Sequence, residues 1–153
     1  MILRKQHFAT IAILAAAFGA AAPSWASVDT SPKPGGVYKL KPGIYVAKDA
    51  ECESAANPSI RLYDGKGIST AHTRACKATV IRSRKQGKFA TAYTVKQSCI
   101  DAGAGPAPRF VERQQVIVDD ALTFTQVIGK SRTTYRYCPV YQLPEGLQKA
   151  VPR

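Results

Sequence analysis

The chain has 153 residues, with 22 Lys and Arg against 10 Asp and Glu, a formal net charge of +12. That length admits one modest core rather than several domains. Only 21% of the residues are charged and 45% are apolar, which excludes a wholly disordered polyelectrolyte, and four cysteines with two histidines leave little for a metal-rich protein.

Arg4 and Lys5 precede an apolar run over 8–22 that holds only Thr10 and Gly19 as exceptions. The run is 15 residues long, below the roughly 20 that a spanning helix needs. Ser24 and Ala26 put small side chains at the −3 and −1 positions of a cut after Ala26. This is the plan of a secretory signal peptide over 1–26. No second long apolar run follows, so the expected product is soluble, periplasmic or secreted, with no transmembrane segment. Removing the leader leaves 127 of the 153 residues and a charge of +10, since two of the 22 cations and none of the 10 anions go with it.

Residues 27–36, SVDTSPKPGG, read as a flexible lead-in rich in Ser, Pro and Gly. A period of 2 then recurs across the body, 37–138, and no period of 3.6 is sustained. A short β-branched run over 44–47 follows the turn Lys41-Pro42-Gly43. Ile60, Leu62 and Tyr63 make a second strand, which Asp64-Gly65-Lys66-Gly67 ends. Residues 67–72 form a third. In the fourth, Ala78 and Val80 share one face and Thr79 and Ile81 the other. The turn Lys85-Gln86-Gly87-Lys88 leads to the fifth, where Phe89, Thr91, Tyr93, Val95 and Gln97 line the face expected to be buried. A Gly- and Pro-rich loop over 101–108 precedes a sixth strand over 110–118. Asp119-Asp120 turns the chain into a seventh (122–128), and Gly129-Lys130-Ser131 into an eighth (133–137). About eight short strands at this spacing predict an all-β fold, an antiparallel meander closing into a small barrel or sandwich. The barrel is preferred because closure removes open edges. After Cys138 come Pro139, Pro144 and Pro152, so 139–153 reads as an irregular tail with room for one short helix over 145–151.

The four cysteines, Cys52, Cys76, Cys99 and Cys138, lack the close pairs of a zinc site, and an even count in an exported chain predicts two disulfides. Three pairings are open. A meander that sets Cys52 and Cys76 near one rim favours Cys52–Cys76 with Cys99–Cys138.

The order Gly43-x-Tyr45, Cys52, Asp64-Gly65 beside a strand, Cys76, a strand ending in Cys99, a Gly-rich loop, two strands and Tyr137-Cys138-Pro139 resembles the small exported four-cysteine β-domains of bacteria. The resemblance covers residues 43–139. It implies a fold type and a compartment and carries no site residues. A looser likeness is to the periplasmic β-barrels that inhibit lysozymes. It implies an inhibitor, for which the loop over 100–109 is the support.

Catalytic patterns are sparse. His72 is the single histidine after the leader, and Ser69 and Asp64 are its nearest candidate partners for acid–base chemistry. Asp119-Asp120 reads as turn chemistry, and Asp49, Glu51 and Glu53 as a solvated loop within reach of Arg61 or Arg74. Gly103-x-Gly105 lacks the strand–helix context of a phosphate loop. The expectation is a non-enzymatic protein without cofactor or metal. Between Cys76 and Cys99, however, lie Lys77, Arg82, Arg84, Lys85, Lys88 and Lys96 and no acid. Arg82 and Arg84 share a face by alternation, Lys85 and Lys88 flank the turn, Arg132 and Arg136 share a face of the last strand, and Arg109 and Arg113 lie on another. Arg82, Arg84, Lys85, Lys88, Arg132 and Arg136 are the candidate anion-binding set, strongest if the hairpin and the last strand adjoin. Anionic envelope polymers or lipid head groups are the expected partners. Nucleic acid is disfavoured because no recognition motif is present and Phe89 and Tyr93 read as core-facing. The competing expectations are a protein target and a structural role in which cations guard strand edges.

Overall fold

The computed structural model describes residues 29, 31–103, 105 and 107–152. The leader over 1–26 lies outside these residues. The body is all-β: β1 (Gly43–Ala47), β2 (Ile60–Tyr63), β3 (Ile68–Ser69), β4 (Thr73–Gln86), β5 (Ala90–Asp101), β6 (Arg109–Asp120), β7 (Thr123–Ile128) and β8 (Ser131–Cys138). All neighbours pair antiparallel in one sheet of order β3-β2-β1-β8-β7-β6-β5-β4. The sheet curls into a nearly closed barrel whose seam lies between β3 and β4.

Two features hold that seam. Ala78 donates its amide to the Lys66 carbonyl at 2.8 Å. The buried Gln97 side chain accepts from the Ile68 amide at 2.8 Å and donates to the Ile68 carbonyl at 2.9 Å, so one carboxamide stands in for a missing strand. Gly67 is required there: a Cβ would lie 2.6 Å from the Cys76 carbonyl oxygen. Beyond Ala78, among the described residues, only β5 pairs with β4, and residues 79–86 have no second strand beside them.

Alternation fills the barrel with Tyr38, Tyr45, Tyr63, Val95, Val116, Phe124, Tyr135 and Tyr137. Edge-on and tilted aromatic contacts at 5.1–5.8 Å link Tyr45 to Phe124 and Tyr137, and Tyr38 to Tyr63 and Tyr93. A second core forms outside β1. Ile44 and Val46 point away from the lumen and pack with Cys52, Ile60, Cys138 and Leu143, with Leu147 and Val151 against them. The residues after β8 form a 3₁₀ turn at Val140–Gln142 and one helical turn, α1 (Glu145–Gln148), that covers this outer core. Ahead of β1, the lead-in is tied down by Asp29, which pairs with Lys41 at 3.4 Å and accepts from Tyr137 Oη at 3.1 Å.

The disulfides are Cys52–Cys138 and Cys76–Cys99, which corrects the favoured pairing. β1 pairs antiparallel with β8, Ile44 opposite Cys138 and Ala47 opposite Tyr135. The turn at 47–50 then sends the chain back past Arg136, which donates to the Ala50 carbonyl, so that Cys52 reaches Cys138. Cys76 and Cys99 lie on adjacent strands, 4.1 Å apart at Cα. An extra residue in β4 between Arg74 and Lys77 adjusts the facing, with Ala75 at φ 49°. In the chain-entropy account, closures of 86 and 23 residues contribute roughly 4–5 and 3 kcal/mol. Two closed disulfides fit an oxidising environment.

Candidate functional site

Strict alternation along β4 would keep Arg82 and Arg84 on the face of Ala78 and Val80. The register breaks first. Val80 stands opposite Val95 but Arg82 stands opposite Thr94, so Ile81 is an extra residue, a β-bulge. After it the phase is reversed. Val80 keeps the phase of the buried Val95, whereas Arg82 and Arg84 fall opposite Thr94 and Ala92 on the outer surface. Ile81 itself is left 49% exposed.

The pairing of β5 with β6 completes the outer face. Lys96 stands directly opposite Arg113 and next to Thr79, Thr94 lies between Arg82 and Gln115, and Ala92 between Arg84 and Ile117. Lys77 falls in the next row, opposite Ser98. Lys77, Arg82, Arg84, Lys96 and Arg113 thus share one outer surface across three strands. Like charges in direct register disfavour the sheet by a few tenths to about 1 kcal/mol. Among the described residues the ion pairs are Lys41–Asp29 and Arg136–Glu51, and neither includes a cation of this face. Between the two arginines lies a shallow depression of about 150 Å³, lined by Arg82, Arg84, Gln86, Ala92, Thr94 and Gln115. Guanidinium, hydroxyl and carboxamide groups surround it without a carboxylate, a set suited to oxyanions.

Lys85 lies on the opposite face, across from Thr91, and Lys88 follows the turn that Gly87 makes at φ 66°. Phe89 corrects an expectation. It is 79% exposed, with Lys88 Nζ 5.2 Å from its ring centroid. The strand begins one residue later, so the ring belongs to the turn and escapes the alternation that buries Val95. Tyr93 does pack against the core as expected.

Arg132 and Arg136 do share the outer face of β8. Three strands separate β8 from β4 in either direction around the barrel, so this pair lies on the opposite side from the hairpin. Arg136 is also engaged: Nη2 donates to the Ala50 carbonyl at 2.7 Å and lies 3.7 Å from Glu51 Oε2. Arg109 is held by the Ala75 and Ser98 carbonyls at 3.1 and 3.2 Å. Asp64 Oδ1 accepts from the Lys66 and Gly67 amides, and Asp120 Oδ1 from Leu122, as turn formers do. His72 sits exposed in the turn before β4, and no side-chain hydrogen bond joins it to Ser69 or Asp64 among the described residues.

Arg61 is a cation that sequence reading placed only in a solvated pair. It lies partly inside the barrel mouth, donating Nε to Gln126 Oε1 at 2.9 Å and stacking 4.6 Å from the Tyr135 ring centroid. Burial lowers its pKa. Lys96 and Arg113 were readable as cations but not as neighbours, because the loop over 101–108 hides the register that pairs them.

No family model, curated protein or solved structure matches this chain.

Proposed function

We propose that this protein is an exported, non-enzymatic binding module that holds anionic envelope polymers or lipid head groups on the outer face of β4–β5–β6. The observation that carries this reading is the in-register pair Lys96–Arg113 beside the outward-turned Arg82 and Arg84, none of them in an ion pair among the described residues. A sheet that only needed solvation would alternate signs across its strands and gain from each pair. Five cations on one side instead create a field that attracts polyanions, and the arginines add bidentate bonds to phosphate or carboxylate oxygens. The leader pattern and the two disulfides support a periplasmic or secreted location.

The test is binding of the purified, disulfide-closed protein to soluble polyphosphate and to phosphatidylglycerol-containing vesicles over a salt series. Affinity is expected to fall steeply as salt rises, and the double variant Arg82→Gln/Arg84→Gln should bind at least tenfold more weakly. Absent binding at low salt, or binding indifferent to salt, overturns the proposal.

A further inference from the structure

We infer that the tip of the β4–β5 hairpin is a membrane-interface anchor that seats Phe89 end-on in an anionic lipid surface. The inference rests on the proposed reading of the basic face and commits it to one partner, a lipid surface. A polymer lying along the outer face meets Arg82, Arg84, Lys96 and Arg113. It does not meet Lys85, which the register places on the other face of the hairpin opposite Thr91. At the tip the cations lie on both sides: Arg84 outward, Lys85 inward, and Lys88 in the turn. Only a surface met end-on lies within reach of all three together. At about 3.3 Å per residue, Arg84 is two positions from the last residue of the strand, within one Debye length, about 8 Å at physiological salt.

Phe89 supplies the apolar part. Its ring is 79% exposed at the end of the hairpin, next to a lysine ammonium 5.2 Å from the ring centroid. The reversal itself is made by Gly87, at φ 66°. An aromatic ring with cations around it is the composition that settles at the boundary between head groups and acyl chains. Among the described residues, no strand beyond Ala78 covers the free edge of β4 on that side of the tip. The hairpin itself carries no acid between Cys76 and Cys99, and the acids that the register brings nearest, Asp119 and Asp120, follow Val118 opposite Thr91, with β5 between them and Arg84 and Lys85.

Phe89→Trp tests this directly, with the unmodified protein as reference because Trp25 is the chain's one native indole. On vesicles of phosphatidylcholine mixed with phosphatidylglycerol, the new indole's emission should shift to the blue and be quenched by brominated acyl chains; pure phosphatidylcholine should do neither. Phe89→Ser should weaken vesicle binding about tenfold or more and leave polyphosphate binding within about twofold. Vesicle affinity unchanged by Phe89→Ser, or an unquenched indole on bound protein, overturns the anchor while salt-dependent polyphosphate binding keeps the basic-face reading. Loss of binding to both probes in the unmodified protein at low salt overturns both.

Discussion

Gln97→Leu is the substitution that most severely tests how the barrel closes. The volumes are similar, so the change removes polarity more than packing. In the native chain the carboxamide accepts from the Ile68 amide at 2.8 Å and donates to its carbonyl at 2.9 Å. Both Ile68 and Gln97 are buried, so water does not replace either bond. Leaving two buried backbone groups unpaired costs roughly 1–3 kcal/mol each, and the added apolar contact of leucine offsets about 1 kcal/mol. The net expectation is a loss of about 1–5 kcal/mol, a large part of the roughly 5–15 kcal/mol of a small domain. Urea unfolding should show a lower midpoint at nearly unchanged slope. Amide exchange at Ile68 should accelerate selectively before global unfolding, because the seam opens first. If the midpoint stays put and the Ile68 amide stays protected, the carboxamide does not close the barrel.

Three further outcomes follow from the same packing. Replacing Cys52 and Cys138 with alanine releases the longer closure and the outer core together, so it should destabilise more than replacing Cys76 and Cys99, by about 1 kcal/mol or more in denaturant midpoints; the reverse order would contradict the packing described. Burial pushes the phenols of Tyr63 and Tyr137 up to about 12 and those of Tyr38 and Tyr45 higher still. A neutral phenol is favoured in the fold, so this stabilisation is complete below about pH 10 and is lost as pH rises from there towards about 12. Circular dichroism and phenolate absorbance should therefore change together, and phenols ionising near 10 in an intact fold would refute it. Ala75→Gly should raise stability by about 0.5–1 kcal/mol, because Ala75 sits at φ 49° where glycine is unstrained; a lowered midpoint would count against that assignment.

The strands were legible because β5 and β8 alternate over four or more residues and because Gly, Asp or Pro turns separate most of the strands. Topology was not, because the pairing of β1 with β8 leaves no local signal, and the disulfide assignment went astray with it. The expected hairpin cations are where chain order put them, but their facing depended on one extra residue, Ile81, which alternation alone does not reveal. Phe89 departs from its expected burial for a related reason: the alternation of β5 starts only at Ala90, and the residue before it belongs to the turn. Residues 139–153 carried three prolines that excluded a strand and gave no sign that Leu143, Leu147 and Val151 cover the outer face of β1. Lys96 and Arg113 became a pair only once the register across the loop over 101–108 was known.

Mapping amide chemical-shift changes during titration with a soluble polyanion at low salt tests the central claim most directly. The account predicts that perturbations gather on residues 79–86, 90–97 and 113–117, fade as salt is added, and spare Arg132 and Arg136 across the barrel. Shifts centred on β8, or spread evenly over all basic residues, would contradict a built anionic face on β4–β5–β6.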